Sequence, residues 1–493
     1  MTPDDATLAS RLAATLPTAR WFGDKAERIE GVTLHERRVL PTAATAAEPP
    51  AELALADVRL AGQATAARYV AIVAPDGGDA AATPQAARGL LGTVLTGVTL
   101  AGRHGAFIGR PAGRREGDHL PPAAVTVSPI GSDASNTSLV IHAPAASWVI
   151  KLFRRCREGI QPEVELGEFF AATSWPGTPR FCGWLGYEPA REGGATGTAA
   201  APTAIATVHE FTPACVTAWE RLVTLLSAAA PGGDWLAGPA GKEVVGIVTA
   251  LGRTTAEMHR ELASRPDLPA FAPEPATAAW RQAAAVRMRE HAAGVCTSIT
   301  SRLASMEPAI ARRLGAVLAA WPRLERGFAR LGEVARSAAN IRVHGDYHLG
   351  QVLVAEHDPR SLVAEHDGQV LVIDFEGEPG RTLAERREKT SAAKDVAGMC
   401  RSFDYLLRHV AKTTGRPYAA ADLRRFKNHF LAAYREVAAG SAWWPADPAA
   451  ADGLLAVFEL DKAIYELAYE LNNRPDWIDV PLAAVEEAAA LDR

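Results

Sequence analysis

Two short segments of this 493-residue chain constrain its fold and chemistry more than any other feature. Residues 343–351 read VHGDYHLGQ and residues 370–376 read VLVIDFE, which places Asp346, Gln351 and then Asp374 around a run of apolar β-forming residues. Phosphoryl transfer from ATP needs one carboxylate to accept a proton and oxygen ligands that hold Mg²⁺ against the phosphates. Either aspartate alone could cap a turn or end a strand, but both together at this spacing predict kinase chemistry.

The spacing also carries a family resemblance. The pattern Asp-x4-Gln resembles the catalytic loop of kinase-type folds, and Asp-Phe-Glu resembles their Asp-Phe-Gly metal motif. The longer patterns, His-Gly-Asp-x-His-x-Gly-Gln and Ile-Asp-Phe-Glu-Gly-Glu-Pro, are similar to those of aminoglycoside-phosphotransferase-like kinases, and within them to the maltokinase branch. The resemblance implies an α+β, bilobal, protein-kinase-like fold with an N-terminal cap subdomain, a β-rich small lobe and a mostly helical C-terminal lobe.

Patterning along the chain predicts three parts. Residues 1–110 are expected to form the cap subdomain, 111–210 a β-rich intermediate subdomain that binds ATP, and 211–493 a helical lobe with the catalytic loop and the sugar site. Between the two motifs the pentapeptide VAEHD occurs at 354–358 and again at 363–367. A duplication that lengthens a solvated loop is favoured there over a metal site.

Composition narrows the function classes. Hydrophobic content of 48% and charged content of 22% are typical of a globular protein. A net charge of −5 without a long basic run does not indicate nucleic-acid binding. No apolar stretch approaches 18 residues, so no membrane span is expected. Five widely separated cysteines and the absence of a secretory start favour a reduced, cytoplasmic setting. The oligomeric state stays open.

On the nucleotide side, the resemblance implies a strand lysine that holds the α- and β-phosphates and pairs with a helix glutamate. Lys151 fits the first role, since it lies in an apolar strand-like run where an unpaired ammonium would be costly. A helix that Pro162 could open follows, with Glu163 and Glu165 in its first turn. Glu165 is the favoured partner because family members keep a Glu-Leu pair there, and Glu163 is the second choice.

Two further segments are assigned to the nucleotide. The small residues between two predicted strands match the Ser-Asn-Thr-Ser of maltokinase-like proteins, and such residues let backbone amides approach phosphates; a plain β-turn is the alternative. A segment ahead of the helical part is expected to meet the adenine edge with its backbone, unless it is only an interdomain strand. The cofactor-binding residues predicted in these two segments are Ser135, Asn136, Thr137, Ser138, Glu210 and Phe211.

The catalytic roles follow from the chemistry of the side chains. Asp346 is the predicted general base, which takes the proton of the acceptor hydroxyl. Gln351 and Asp374 are the predicted Mg²⁺ ligands, because hard oxygen donors suit this ion. His348 is either structural or directed at the substrate, and it is counted among the substrate residues.

The acceptor site is assigned to residues 462–477, KAIYELAYELNNRPDW. Lys462, Glu466 and Glu470 share one face at helical spacing, for which a solvated ladder of charges is the default interpretation. The block nevertheless resembles the sugar-binding C-terminus of maltokinases down to Asn-Arg-Pro-x-Trp. The resemblance implies that the substrate is lined by Lys462, Glu466, Tyr469 and Trp477.

Departures from the maltokinase pattern, at Asp24 and in the loop after Tyr187 among other places, resemble the maltokinase-like glucosamine kinases of actinobacteria. The resemblance therefore implies ATP- and Mg²⁺-dependent conversion of glucosamine to glucosamine 6-phosphate. A maltokinase that makes maltose 1-phosphate is the alternative, followed by an aminoglycoside phosphotransferase or a non-catalytic pseudokinase. The acids that could neutralise the ammonium of an amino sugar are Glu466, Glu470, Asp476 and Asp479.

Overall fold

The computed structural model describes residues 4–41, 51–74, 78–112, 125–131, 136–190, 201–228, 234–236, 238–334, 338–356 and 370–490. Contacts divide it into two compact units. The first unit comprises Met1–Pro213 and Pro379–Arg386, and the second comprises Ala214–Glu378 and Arg387–Arg493. The predicted division at residues 110 and 210 stays a prediction. Most of the VAEHD duplication lies outside the described residues.

The strands are β1 (Ile29–Val39), β2 (Glu52–Leu60), β3 (Ala67–Val73), β4 (Thr99–Ala101), β5 (Gly105–Pro111), β6 (Thr126–Ile130), β7 (Asn136–His142), β8 (Ser147–Phe153), β9 (Phe181–Pro189), β10 (Thr203–Glu210), β11 (Cys215–Thr217), β12 (Glu274–Pro275), β13 (Ala339–Asn340), β14 (Val352–Ala355) and β15 (Val370–Val372). The helices are α1 (Asp5–Thr15), α2 (Pro84–Thr96), α3 (Pro162–Thr173), α4 (Ala218–Ala228), α5 (Gly238–Leu262), α6 (Ala278–Arg302), α7 (Pro308–Ala319), α8 (Trp321–Ala329), α9 (Leu331–Val334), α10 (Leu383–Arg386), α11 (Ala393–Thr414), α12 (Ala420–Ala438), α13 (Pro448–Asn473) and α14 (Asp479–Ala490).

The first unit is built on two antiparallel sheets. Strands β1, β2 and β3 form one in sequence order, and the other has the order β4-β5-β9-β10-β8-β7-β6 within the described residues. Its core joins helix α2 to the larger sheet, where Leu90, Val94, Leu139, Ile150 and Val208 are all buried. Burial of each such side chain contributes about 1.5–3 kcal/mol. This core fixes β8, the strand that carries the predicted phosphate-binding lysine.

Helix α2 shows how local sequence sets the element bounds in this unit. The hydroxyl of Thr83 accepts a hydrogen bond from the N–H of Ala86 at 3.3 Å, and Pro84 occupies the first turn, where its missing N–H costs nothing. The helix ends at Gly97, whose φ of +71° is a left-handed conformation that favours glycine. Both ends are therefore specified by residues suited to them.

The second unit is mostly helical and contains a small antiparallel sheet of the order β11-β14-β15. Strands β14 and β15 pair in the register Val352 with Val372 and Val354 with Val370. This pairing brings together the two sequence motifs, because the N–H of Ile373 donates to the carbonyl oxygen of Gln351 at 3.0 Å. Among the described helices of the whole chain, none has the length and apolar character that crossing a bilayer requires.

Helices α11 and α13 pack against each other in the second unit. Met399, Cys400 and Phe403 are buried on α11, as are Ile464 and Leu467 on α13. These apolar residues recur at helical spacing and so form one buried face on each helix. The residues between them, which include the predicted acceptor-site residues Lys462, Glu466 and Tyr469 on α13, are consequently held on rigid elements.

Candidate active site

The catalytic loop around Asp346 is held in place by a buried carboxylate that sequence reasoning missed. Asp395, in the first turn of α11, accepts the backbone N–H groups of His344 at 2.8 Å and Gly345 at 2.9 Å. Only 1% of Asp395 is exposed. Burial alone would raise the pKa of this carboxyl, but the hydrogen bond from His259, the nearby histidine charges and the Gly345 N–H together lower it.

His259 of α5 supports that carboxylate from the far side. Its Nε2 lies 3.1 Å from Asp395 and its Nδ1 lies 2.9 Å from the hydroxyl of Tyr434 on α12. Both ring nitrogens of His259 therefore have a hydrogen-bond partner. Three helices are thereby tied to the catalytic loop. Because Asp395 and His259 lie in ordinary helical patterns, only a family comparison of these positions could have singled them out.

His344 connects the two motif segments. Its Nε2 donates to the carbonyl oxygen of Ile373 at 2.9 Å, which leaves Nδ1 to accept the N–H of Asp346 at 3.4 Å. The ring also packs on Phe375, with the centroids 4.9 Å apart. Gly345, which lies between His344 and Asp346, adopts a φ of +88°, a conformation that residues with a side chain rarely take. His344 is thus a structural brace for the predicted base.

The two predicted metal ligands lie in direct contact. Gln351 donates from Nε2 to Oδ2 of Asp374 at 2.8 Å, so its Oε1 is the atom left to coordinate an ion. Asp374 has a φ of +65°, a left-handed conformation that aspartate tolerates better than most residues. A carboxylate oxygen of Glu376 lies within 4.8 Å of one of Asp374. Two carboxylates and an amide oxygen are a donor set that fits Mg²⁺.

Asp346 itself is paired with a residue of the predicted acceptor site. Lys462 of α13 places its Nζ 3.3 Å from Oδ1 of Asp346 and 3.5 Å from Oε1 of Glu378. Burial would lower the pKa of this lysine, but the charges of Asp346, Glu378 and Glu466 outweigh it and raise the pKa. Lys462 is therefore charged at neutral pH.

His348 follows the predicted base by two residues and serves the turn that leads to Gln351. Its Nδ1 accepts the N–H of Gly350 at 3.0 Å. Burial lowers the pKa of the ring below its ordinary value, the positive charge of Lys462 adds to this, and the negative charge of Asp346 works against it. The neutral ring then carries its proton on Nε2. Between the two interpretations left open for His348, the contact at Nδ1 supports the structural one.

Glu466 lies one helical turn beyond Lys462 and is a partly buried member of an ion-pair network. Arg401 of α11 donates from Nε to Glu466 at 2.9 Å and from a terminal nitrogen to Asp404, also at 2.9 Å. Burial raises the pKa of the Glu466 carboxyl, although the charges of Arg401 and Lys462 work against that rise. The sequence alone gave no sign that Arg401 would share this carboxylate.

Tyr469 and Trp477 belong to an aromatic group around Arg474. The guanidinium of Arg474 lies 5.4 Å from the ring centre of Tyr469 and 5.8 Å from that of Trp477. Trp477 also stacks on Tyr405 and His409 at centroid distances of 6.0 and 5.6 Å. Tyr469 is 44% exposed, which leaves ring surface available for a ligand. The aromatic character expected of a sugar site is therefore present at this end of α13.

Like Glu466, two other acids that could neutralise a substrate ammonium have arginine partners. Glu470 is 1% exposed and accepts hydrogen bonds from Tyr405 and from Nε of Arg474, both at 2.9 Å. Asp479 forms a salt bridge with Arg313. Their charge is partly compensated within the protein, and their role towards a substrate ammonium stays a prediction.

In the first unit, Lys151 forms a buried salt bridge. Its Nζ lies 2.8 Å from Oε2 of Glu163, and the hydroxyl of Thr207 donates to Oε1 of the same carboxylate at 3.3 Å. This pairing is a correction to the sequence preference, which favoured Glu165 and ranked Glu163 second. Glu163, which follows Pro162 at the start of α3, is buried, whereas Glu165 is half-buried.

Three of the predicted phosphate-loop residues, Asn136, Thr137 and Ser138, begin strand β7, and Ser135 lies outside the described residues. The hydroxyl of Thr137 accepts a hydrogen bond from Nε of Arg154 at 2.8 Å. That hydroxyl has a structural partner in the sheet, so the contribution of this segment to phosphate binding would come from its backbone and its other side chains.

Glu210 ends strand β10 and Phe211 follows it. The N–H of Glu210 donates to the carbonyl oxygen of Arg180 and the N–H of Phe211 donates to that of Ser147, both at 2.9 Å. The Glu210 side chain accepts from Nε of Arg180 at 2.8 Å. Both N–H groups are therefore used within the first unit.

With this geometry in view, comparisons with known proteins define the class. Residues 126–377 match the APH phosphotransferase enzyme family, and the chain belongs to that family. It is 30% identical over 367 residues to the glucosamine kinase of Mycolicibacterium smegmatis, a match that spans 72% of this chain and 78% of that protein. It is 29% identical over 358 residues to the glucosamine kinase of Streptacidiphilus jiangxiensis, covering 71% and 70%.

Solved structures agree with this assignment. A glucosamine kinase structure (crystal form A) superposes with a TM-score of 0.63 at 25% identity, covering 99% of both chains. A glucosamine kinase in complex with glucosamine, ADP and inorganic phosphate gives 0.64 at 24% identity, with the same coverage. The predicted α+β kinase-like fold, the family and the phosphotransferase class are confirmed.

Proposed function

We propose that the protein is an ATP-dependent kinase that phosphorylates glucosamine. The observation that carries this proposal is the similarity to two glucosamine kinases over at least 70% of each chain. The proposed product is glucosamine 6-phosphate, and the proposed metal is Mg²⁺. Maltose phosphorylation is the second candidate, favoured only by the resemblance of the C-terminal block to maltokinases.

In the proposed reaction Asp346 accepts the proton of the acceptor hydroxyl as its oxygen forms a bond to the γ-phosphorus. The bond between that phosphorus and the β-bridging oxygen breaks, and ADP leaves with the electron pair. Asp346 suits the role because its loop is fixed at His344 and Gly345 by the buried Asp395. A base held this rigidly loses little entropy when the substrate arrives.

Gln351 and Asp374 would hold Mg²⁺, which when bound neutralises charge on the phosphates. In the first unit, Lys151 would contact the α- and β-phosphates, with Glu163 fixing its ammonium. Glu210 and Phe211 would accept hydrogen bonds from the base through their carbonyl oxygens.

The proposed sugar site is formed by residues of α13 and its C-terminal extension, with His348 beside the catalytic loop. Glu466 would accept a hydrogen bond from the substrate ammonium, while Tyr469 and Trp477 offer aromatic faces for the sugar ring. Lys462 contacts Asp346 directly and so would lie next to the reacting hydroxyl. We also place the reaction in the cytoplasm, where ATP is available and where free cysteines such as the five found here persist.

A coupled assay of ADP release tests the proposal with glucosamine, maltose, glucose and an aminoglycoside as acceptors, each with ATP and Mg²⁺. We expect turnover on glucosamine that exceeds turnover on the other three acceptors. Rapid turnover on maltose and none on glucosamine would establish the second candidate, and no turnover on any acceptor would favour a pseudokinase.

The variant Asp346→Asn tests the assignment of the base. It should lower turnover by at least 100-fold, because general base catalysis contributes about 10²–10⁴-fold. ATP binding measured by calorimetry should stay at the wild-type value, since no nucleotide contact is assigned to Asp346. Asp452→Asn is the control, because Asp452 lies on the surface of α13 in a pair with Arg435. Turnover by Asp346→Asn at the wild-type rate would refute the assignment.

A further inference from the structure

Lys462 has contacts that a residue serving only to bind the sugar would not need. We propose that Lys462 is a positioning residue for phosphoryl transfer, which holds one oxygen of Asp346 so that the other is presented to the acceptor hydroxyl, and that Glu378 fixes Lys462 in this position. The inference rests on the proposed function for the identity of the base and deepens it by assigning two residues that support that base.

The two oxygens of Asp346 have different surroundings. Oδ1 lies 3.3 Å from the ammonium of Lys462. No described residue donates a hydrogen bond to Oδ2, which is therefore the oxygen left to take a proton from a substrate. An aspartate side chain has a broad, roughly two-fold χ2 preference, so a fixed partner on one oxygen is an effective way to set its orientation. Lys462 supplies that partner from a rigid helix.

Lys462 is itself held by Glu378, which lies four residues after Asp374. Glu378 is 5% exposed, and its Oε1 lies 3.5 Å from Lys462. Its Oε2 lies 3.3 Å from the ammonium of Lys394. The four side chains Lys394, Glu378, Lys462 and Asp346 thus alternate in charge. Each inner member has an opposite charge on both sides, which compensates for their removal from water.

The contacts also restrict what else Lys462 can do. The ammonium has two carboxylate partners, and its position over the ring of Tyr465, 4.8 Å from the centroid, restrains it further. To bind a sugar hydroxyl instead of Asp346, Lys462 would have to leave a partly buried carboxylate with one partner fewer. Retaining the contact with Asp346 is therefore favoured, and Lys462 acts on the reaction through the base.

Three single variants and the double variant Lys462→Met with Glu378→Gln test the proposal in the full-length enzyme. Lys462→Met keeps the length and bulk of the side chain and removes its charge, whereas Lys462→Arg keeps the charge. Glu378→Gln keeps the shape of the carboxylate and removes its charge. The matched control is Lys427→Met, because Lys427 makes a salt bridge of similar burial to Glu459 of α13, at 2.8 Å, with no contact to the catalytic loop.

Steady-state kinetics with glucosamine and ATP should show a loss in kcat with little change in the KM for glucosamine. We expect Lys462→Met to lower kcat on the order of 100-fold, the cost of a misplaced catalytic group. Lys462→Arg should recover part of that loss, and Lys427→Met should keep the wild-type kcat. Glu378→Gln should lower kcat by about tenfold alone and should add nothing to Lys462→Met, because its effect passes through Lys462.

Different outcomes separate this proposal from the proposed function. If the wild-type enzyme turns over no glucosamine, the proposed substrate is wrong. If the wild type is active but Lys462→Met raises the KM for glucosamine at unchanged kcat, Lys462 is a sugar ligand and the positioning role is refuted. Multiplying effects of Lys462→Met and Glu378→Gln in the double variant would refute the role of Glu378. Circular dichroism and urea denaturation of each variant identify any that fail to fold.

Discussion

Replacement of Asp395 by Asn should destabilise the catalytic loop, and three contacts of the carboxylate allow the loss of free energy to be estimated. The carboxylate accepts the N–H of His344 at one oxygen and that of Gly345 at the other, and it also receives a hydrogen bond from His259. An Asn side chain has one acceptor oxygen, so its NH2 group must face one of the two backbone N–H groups. At least one charge-assisted hydrogen bond, about 1.5–3 kcal/mol, is then lost.

The total cost should be about 3 kcal/mol in the free energy of unfolding, because one buried N–H is left without a partner in addition to the lost bond. This is a fraction of the usual 5–15 kcal/mol, so the variant should fold. Urea denaturation measures the change, with Asp452→Asn as a surface control expected within about 0.5 kcal/mol of the wild type. We expect kcat to fall on the order of 100-fold, because the loop that carries Asp346 is displaced.

The pH dependence of the same variant provides a further check. The pKa of Asp395 is lowered in the folded protein. Its stabilising contribution is therefore complete above the unfolded pKa, about 3.9, and is lost as the pH falls through the lower folded value. The difference in unfolding free energy between wild type and Asp395→Asn should shrink as the pH is lowered below about 4. Wild-type stability and wild-type kcat in the variant at pH 7 would refute the role assigned to Asp395.

Two further predictions concern the nucleotide and the metal. Lys151→Met should raise the KM for ATP or lower kcat by at least tenfold, because it removes the ammonium that Glu163 would orient towards the phosphates. The KM for glucosamine should stay within about twofold. Steady-state kinetics with both substrates varied measures these effects, and unchanged ATP kinetics would contradict the prediction. Removal of divalent ions with EDTA should abolish turnover, and added Mg²⁺ should restore it. The variant Asp374→Asn should require a higher Mg²⁺ concentration for half-maximal rate. Activity in excess EDTA would rule out the metal role.

The sequence predicted the parts of the site that are close together along the chain. Asp346, Gln351 and Asp374 could be identified because a catalytic loop and a strand end occur within thirty residues of one another. Their proximity in the structure follows from the pairing of β14 with β15, and the apolar runs around each motif already indicated such strands. Lys151 could be found for a related reason, since a charge inside an apolar strand needs a partner.

The supports of the site could not be predicted, because they depend on how distant helices pack. Asp395 and His259 lie in patterns that fit any amphipathic helix, and only the folded chain shows that both reach the loop before Asp346. The preference for Glu165 over Glu163 failed because it relied on a resemblance and not on the face of α3 that is buried. A difference of two residues in a helix is a rotation of about 200°, which decides burial.

Recognition of an amino sugar requires a carboxylate whose charge the protein has not already compensated. Glu470 and Asp479 do not meet this condition, since arginines pair with both. Glu466 also has a basic partner, Arg401, although Arg401 is shared with Asp404. Its carboxyl is also buried, which raises its pKa and makes an additional positive charge favourable. Of the four acids expected near the acceptor, Glu466 and Asp476 therefore stay the predicted candidates for holding an ammonium group.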